Sequence, residues 1–310
     1  MTDFATTITD ADVLDADEVA LYSSMVILNA TPELVADQAV SVTSTGQGIT
    51  HNFAIYANLG ALTTALTDGV EADSTAMADS LATLTPAEQG GVVTLARLAD
   101  VQSALKAARA AGMLIGRSAG TTLDKLAIIA LEAFSTTRIY PNSASAASNL
   151  ATSDNLDAVF ANRLYNKLAR GNVPGINGSY IGIAHDDCLH DLRVDTANGG
   201  WVDVSRYADP SSVLQNEVGM FAGIRWLRSS NVTVTADSNG TIDSYKVNVC
   251  GFNALGKAQA GPVELKVTGP FDKLGRFLNY GWYWLGSYGV IDTGNMVQGI
   301  CASSVGNNAA

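Results

Sequence analysis

Apolar residues recur at helical spacing in three segments of the first half of the chain. Residues 12–29 carry a stripe of leucine and methionine behind an acidic first turn, where the helix dipole stabilises carboxylates. Residues 98–115 and 121–134 follow one another in an alanine-rich stretch, and Thr121 opens a TxxD pattern that is typical of a helix start. We therefore predict an early helix with no sequence neighbour to pack on, and two consecutive spine helices joined by the GRSAG sequence of residues 116–120.

Alternating apolar and polar residues predict short strands on either side of a long polar excursion. Residues 49–55 alternate with the period of a strand, and a second apolar run begins at Val92. The residues between these runs are mostly small or acidic and cannot build a core of their own. They predict an extended flap that leaves the body and rejoins it. Beyond residue 141 a polar linker, helices and short strands alternate, and strands return from residue 263 to residue 301.

Charge is scarce and unevenly distributed. The chain is 47% hydrophobic and 15% charged, with a net charge of −12, and a chain this poor in charge is expected to hide surface in subunit contacts. Residues 1–96 hold thirteen acids and no lysine or arginine, whereas residues 97–310 hold the other seventeen acids and all eighteen basic residues. The acidic third is either a solvated face or an arm that lies on a basic surface of a neighbouring copy.

Cysteine usage and the N-terminus indicate a reducing compartment. The three cysteines, Cys188, Cys250 and Cys301, are widely spaced and form no CxxC pattern, so no disulfide framework or zinc ribbon is expected. The first residues are acidic where a signal peptide is basic and then apolar. The apolar stretches, such as residues 126–131, are too short to span a membrane. We expect a soluble protein made in the cytoplasm.

The sequence IAHDDCLHDLRVD, residues 183–195, is the densest cluster of metal-binding residue types. If a strand ends at Ala184 and a helix begins with Asp186 or Asp187 as its cap, His185 precedes that helix and His190 lies within it. Residues five apart on a helix point about 140° away from each other, so the two histidines do not converge. We interpret the segment as a strand-to-helix corner and expect no metal site.

Two further patterns suggest chemistry. GRSAG matches the GxSxG nucleophile elbow with Ser118 at its centre, but the elbow requires a preceding strand, and a helix is predicted there. In GWYWLGSYG a period of two places Trp282 and Trp284 on one face, which favours a core or interface strand over a sugar-stacking platform. There is no phosphate loop, dinucleotide fingerprint or basic stripe with aromatics. We expect no catalytic, cofactor-binding or metal-binding residues.

The run YIGIAHDDCLHDLRVDTANGGWVDVSRYADPSSVLQNEVGMFAGIRWLRSS, residues 180–230, strongly resembles a stretch of tailed-bacteriophage major capsid proteins. In one subfamily a strand ending in a His and Asp corner leads to DLR, a Trp, a YAD helix entry and an E(I/V)GxxxGxRxxxS strand. The matching positions are His185, Asp187, Asp191, Leu192, Arg193, Trp201, Tyr207, Ala208, Asp209, Glu217, Val218, Gly219, Gly223, Arg225 and Ser229. The family's terminal block is matched within residues 272–292 by Asp272, Leu274, Gly275, Tyr280, Gly281 and Trp282. The likeness covers about 40 to 300, and it is specific in the second half and architectural in the first.

The resemblance implies an α+β fold of the Hong Kong 97 capsid type. That fold has an N-terminal arm, an extended β-hairpin loop, a peripheral domain with a long spine helix, and an axial α/β domain. The corresponding segments are an arm with its helix at 1–39, the extended loop at 40–96, the spine helices at 97–140, the axial domain at 141–262, and the return to peripheral strands with the C-terminal tail at 263–310.

The resemblance also implies a structural role. Many copies would form hexamers and pentamers that close into an icosahedral head shell around double-stranded DNA, without sequence-specific binding and without a membrane. The expected location is the virion capsid, with assembly in the host bacterial cytoplasm. Decoration or cement proteins, a portal and a scaffold are the further partners that the family implies.

Some members of this fold weld subunits through a lysine in the extended loop. This chain has no lysine before Lys106, so we expect non-covalent locking. The suspected inter-subunit contacts are the acids of the arm and loop: Asp10, Asp12, Asp15, Asp68, Glu71, Asp73 and Asp79.

Two alternatives to a phage capsid protein remain open. An encapsulin-like nanocompartment shell shares the architecture and encloses cargo enzymes instead of DNA. A serine hydrolase that uses Ser118 belongs to a different class, and loss of an esterase activity in Ser118→Ala would favour it.

Overall fold

A computed structural model describes most of the chain beyond residue 33. The described residues are 34–46, 48–56, 59, 63, 65, 66, 68–71, 74–98, 107–133, 138–195, 202, 203, 214, 216–236, 238 and 240–305. The predicted helix of residues 12–29 lies outside them. Among the described helices, none has the length and apolar character needed to cross a bilayer.

One sheet is built around a single long strand. Its strands are β1 (Val40–Thr45), β4 (Ala87–Ala96), β12 (Leu255–Gln259), β13 (Glu264–Phe271) and β14 (Phe277–Val290). Strands β12, β13 and β4 each pair antiparallel with β14. The β4 pairing runs along residues 277–286 of β14. Strand β1 is parallel to β12. We call these five strands the long-strand sheet.

Helix α1 (Ala107–Glu132) covers this sheet. Tyr280, Trp282 and Trp284 are 1–4% exposed and lie in one apolar cluster with the helix residues Ala111, Ile115, Ala119 and Leu123. The alternation in GWYWLGSYG therefore marks a core strand, as predicted, because its two tryptophans bury large aromatic surfaces against the helix.

Helix α1 is continuous through residues 116–120, so the prediction of two helices joined at GRSAG was wrong. Gly116 and Gly120 are buried within the helix. A glycine inside a helix lowers the stability of that helix by about 1 kcal/mol relative to alanine, so the two glycines by themselves favour a break between two helices. Burial of the surrounding alanine and isoleucine face against the long-strand sheet overrides this local preference. Thr121 is not a helix cap either, since its hydroxyl donates to the Arg117 carbonyl oxygen at 3.0 Å inside the helix.

The second sheet includes the strand that leads into the segment IAHDDCLHDLRVD of residues 183–195. Its strands are β5 (Arg138–Ile139), β6 (Tyr180–Ala184), β7 (Val202–Asp203), β8 (Glu217–Phe221), β9 (Ile224–Arg228), β10 (Val234–Thr235), β11 (Ser244–Cys250) and β15 (Met296–Cys301). Seven of them follow the order β5-β15-β11-β6-β9-β8-β7, and β10 pairs with β11. Helices α2 (Ala158–Arg170) and α3 (Asp186–Val194) pack their apolar faces on it around Phe160 and Trp226. We call it the central sheet.

The end of the chain divides between the two sheets. Strands β13 and β14 lie in the long-strand sheet, whereas β15 pairs with β11 and β5 of the central sheet. The division of the chain into five segments stays a prediction. The strand pairing shows that the C-terminal part of the chain contributes strands to both sheets and so connects them.

The β8–β9 hairpin depends on a glycine at its turn. Ala222 and Gly223 both have positive φ, 53° and 74°, as a two-residue hairpin turn requires. A Cβ on Gly223 would lie 2.7 Å from Cε2 of Tyr165. We expect Gly223→Ala to lower the free energy of unfolding by about 1–2 kcal/mol, measured by denaturant unfolding. Gly240→Ala is the matched control, because its φ is +80° and no atom lies within 4 Å of the added carbon. An equal loss in both variants would show that the Tyr165 contact is immaterial.

Candidate functional site

The His and Asp corner is a structural cap. Strand β6 ends at Ala184 and α3 begins at Asp186, as predicted, but the cap is His185, whose Nδ1 accepts from the Asp187 backbone N–H at 3.3 Å. Asp187 accepts from the Tyr245 hydroxyl at 3.0 Å, and burial together with this carboxylate raises the pKa of Tyr245. His190 is exposed, and its ring lies beside the Asp191 carboxylate. The two histidines, His185 and His190, therefore do not converge. Within the described residues, no three His, Cys, Asp or Glu side chains form a group that could hold a metal ion.

Ser118 does not form a nucleophile elbow. It lies in the middle of α1, exposed, and its carbonyl oxygen accepts from the Thr122 hydroxyl at 2.7 Å. An elbow places its serine on a sharp turn between a strand and a helix, where neighbouring N–H groups stabilise an oxyanion. The N–H groups around Ser118 lie within the helix instead. The geometry therefore gives no support to the hydrolase alternative.

The three cysteines are buried thiols. Cys188 and Cys301 approach to 3.7 Å between their sulfur atoms, across the interface of α3 and the central sheet. Burial raises the pKa of Cys250 from 9.0 to about 12. Burial, the Cys301 thiol and two nearby carboxylates raise the pKa of Cys188 well above its ordinary value.

We expect none of the three cysteines to react with a disulfide reagent in the native protein at pH 8. The thiolate is the reactive species, and the raised pKa of Cys188 and of Cys250 lowers its fraction at that pH. Cys301 is fully buried, so the reagent has no access to its thiol. Absorbance of released thionitrobenzoate should report no reaction in buffer and three thiols per chain in denaturant. Rapid release of one equivalent from the native protein would contradict the buried assignment.

Asp124 joins three parts of the molecule. Its carboxylate is fully buried and accepts four hydrogen bonds. Oδ1 accepts from the backbone N–H groups of Val35 and Ala36 at 2.9 and 2.7 Å, and Oδ2 accepts from the Ser229 hydroxyl and the Asn231 side-chain amide at 3.1 and 2.7 Å. The residue thus ties the start of the described chain to α1 and to the end of β9. Sequence reasoning missed this role, because the TxxD pattern pointed to a local cap.

The residues of the family pattern have structural tasks where the structure describes them. Glu217 holds Arg225 across the β8–β9 hairpin through two hydrogen bonds of 3.0 and 2.7 Å. Ser229 is one of the four donors to Asp124. Four members of the pattern, Trp201, Tyr207, Ala208 and Asp209, lie outside the described residues. The pattern therefore maintains a hairpin and its junction with α1, and the described part of it builds no reaction site.

The flap comprises β2 (His51–Tyr56), β3 (Asp79–Leu84) and the described residues between them, and its base is anchored. Strands β2 and β3 pair antiparallel in full register, from His51 with Leu84 to Tyr56 with Asp79. His51 is buried and shares a 2.8 Å hydrogen bond between its Nδ1 and the Ser44 hydroxyl. Leu84 packs directly over the backbone of Gly289 in β14. The base of the flap is thus part of the long-strand sheet's packing.

The rest of the flap presents apolar and acidic side chains to solvent. The large apolar residues are 55–79% exposed: Tyr56, Leu59, Leu66, Val70, Met77 and Leu81. Of the suspected inter-subunit contacts, Asp68, Glu71 and Asp79 are exposed on this segment, while Asp10, Asp12, Asp15 and Asp73 lie outside the described residues. A single copy of the protein leaves these six apolar side chains in water, which favours an interaction surface on the flap.

The fold is similar, over most of the chain, to that of proteins from phage capsids and from an encapsulin. The capsid of Ralstonia phage GP4 has a TM-score of 0.70 and 14% identity over 86% of this chain and 88% of its own. The capsid of cyanophage Pam1 has a TM-score of 0.63 and 15% identity over 85% of this chain and 89% of its own. The SrpI encapsulin complex of Synechococcus elongatus has a TM-score of 0.52 and 9% identity over 85% of this chain and 86% of its own. No protein-family model and no curated protein matches the chain.

These similarities define the class of fold. The chain has the α+β Hong Kong 97-type fold over most of its length, as the sequence resemblance predicted. The structural neighbours are mostly capsid proteins of tailed phages, and an encapsulin is among them.

Proposed function

We propose that this chain is a major capsid protein, which assembles as hexamers and pentamers into an icosahedral shell around double-stranded DNA. The observation that carries the proposal is the flap, whose base is fixed to the long-strand sheet while its apolar side chains lie in water. Burying apolar surface contributes about 25 cal/mol per Å², so six such side chains on each of many copies supply a large driving force for association. The role is structural, and the protein is not an enzyme.

Acidic side chains provide the polar part of the proposed contacts. Asp68, Glu71 and Asp79 on the flap, together with Asp10, Asp12, Asp15 and Asp73, are proposed to contact basic side chains of neighbouring copies. The flap contains no lysine, so the contacts are non-covalent, and cement or decoration proteins would reinforce them. The shell is the virion capsid, assembled in the host bacterial cytoplasm with a scaffold and a portal.

Electron microscopy of the purified protein tests the proposal. Closed, evenly sized shells are expected from the chain expressed alone or with its scaffold. A protein that stays monomeric at all concentrations would overturn it. The contents of shells from infected or producing cells separate the two architectures that share this fold. Nuclease-protected DNA supports a capsid, whereas a packaged enzyme in place of DNA supports an encapsulin-like compartment.

Removal of residues 1–33 is expected to weaken shell formation without unfolding the subunit. The cut falls before Val35, so the anchor on Asp124 is kept, while seven carboxylates are lost. Light scattering should show a higher assembly concentration, and the denaturant midpoint of the subunit should be unchanged. Raising salt should act in the same direction on the full chain, because exposed ion pairs are screened. Unchanged assembly of the truncated chain would eliminate a role for this segment.

A further inference from the structure

A basic groove lies at the edge of the central sheet. It is an open cleft of about 560 Å³, and its lining includes four cationic side chains and no carboxylate. Arg138 lies on strand β5, and Arg163, Lys167 and Arg170 lie on α2. We use the term basic groove for the cleft that these four residues line.

The geometry of α2 places the cations side by side. Positions 163, 167 and 170 are spaced four and three apart, so they share one face of the helix over about 10 Å. Leu164 and Leu168 lie on an adjoining face of the helix and are buried in the core, whereas Arg163, Lys167 and Arg170 are exposed. The fold therefore fixes the direction in which these charges point.

Among the described residues, the hydrogen-bond partners of Arg138 and Arg163 are neutral groups. Arg138 Nε donates to the Gln298 side-chain oxygen at 3.1 Å, and Arg163 donates to the Asn142 carbonyl oxygen at 3.4 Å. Within the described part of the chain, none of the four forms an ion pair, although several other basic residues do. Four like charges in one cleft repel one another, and an anionic occupant would offset that repulsion.

We propose that the basic groove binds the acidic N-terminal segment, residues 1–33, of a neighbouring copy. This segment holds seven acids and no basic residue, and five of the acids fall within residues 10–18. The inference rests on the proposed function, because a shell brings one segment to every groove in equal number and at high effective concentration. Carboxylates and guanidinium groups also match in bidentate geometry. Duplex DNA is the competing anionic occupant, and the groove variant below distinguishes it from the segment.

Charge reversal in the groove tests the inference. Arg163→Glu with Lys167→Glu is expected to raise the subunit concentration needed for shell formation by about fivefold or more, as loss of modest ion pairs does. The matched control is Lys125→Glu with Lys273→Glu, which makes the same change in net charge at two other exposed positions. The control should assemble nearly as the native chain does. Equal weakening in both variants would overturn the inference, since it would reflect net charge alone.

A compensating exchange identifies the occupant. Asp10→Arg with Asp12→Arg should weaken assembly alone and restore it when combined with the reversed groove. No restoration would overturn the assignment to residues 1–33. Normal assembly of the groove variant, with loss of packaged DNA, would assign the groove to nucleic acid instead.

Different experiments decide the proposed function and the binding of residues 1–33 by the basic groove. If the native chain forms no shells, the proposed function fails, whatever the groove binds. The groove is then tested alone by fluorescence anisotropy with a labelled peptide of residues 1–33 and the full chain. Binding that weakens with salt and is reduced by the groove reversal, compared with the control, supports the site. Equal binding by both variants overturns it.

Discussion

Replacing residues 57–78 with an Asn-Gly turn is expected to abolish shell formation while leaving the subunit folded. Tyr56 and Asp79 are directly paired at the end of the β2–β3 ladder, so a two-residue turn can close the hairpin there. The replaced residues include Leu59, Leu66, Val70 and Met77, which are exposed and contribute no core to the single copy. Sedimentation velocity should show only subunits or small oligomers under conditions in which the native chain forms shells.

The control for this deletion keeps the loop and removes one of its charges. Asp68→Asn leaves the apolar side chains in place and should retain shell assembly, with a modest change in its salt dependence. Thermal unfolding of the shortened subunit should match that of the native subunit, because the flap base keeps its contacts with Ser44 and Gly289. Shells of normal size from the shortened chain would contradict the role given to the flap.

Asp124→Ala is expected to lower the free energy of unfolding by about 2–4 kcal/mol, because it leaves up to four buried donors without their acceptor. Two of these donors are the backbone N–H groups of Val35 and Ala36, which cannot reorient. Typical domains are stable by only 5–15 kcal/mol, so a loss of this size is a large fraction of the total. Denaturant unfolding of the isolated subunit measures it.

Two further variants, Asp124→Asn and Asp68→Asn, are compared with Asp124→Ala in the same unfolding experiment. Asp124→Asn keeps one acceptor oxygen and should cost less than the alanine variant. Asp68→Asn changes an exposed carboxylate and should alter the stability by less than about 0.5 kcal/mol. If Asp124→Ala were as stable as Asp68→Asn, Asp124 would not hold the three elements together.

Local sequence patterns predict the parts of the fold that local physics decides. The period of two in GWYWLGSYG predicts a buried strand, and Trp282 and Trp284 are buried in β14. The end of a strand at Ala184 and the start of a helix at Asp186 follow from turn and cap chemistry, although the cap itself is His185 and neither aspartate. The exposed acids of the flap likewise follow from a stretch that cannot build a core.

Nonlocal packing decides the parts that the sequence patterns missed. The glycines of GRSAG favour a break by their own preference, and the packing of α1 on the long-strand sheet keeps the helix whole. Asp124 finds its partners 88 and 107 residues away, at Ala36 and Asn231, where no spacing rule applies. The pairing of β15 with β11 is of the same kind. The basic groove is missed because Arg138 and α2 meet only in the folded chain.

Hydrogen exchange of the flap, compared between the isolated subunit and the assembled shell, tests the central claim most directly. The backbone of β2 and β3 is paired in the single copy, while the described residues between these strands present their side chains to water. Strong protection of residues 57–78 that arises only in the shell is the predicted result, because neighbouring copies cover them there. Protection of the same strength in a lone subunit, or no gain of protection in the shell, would contradict the account.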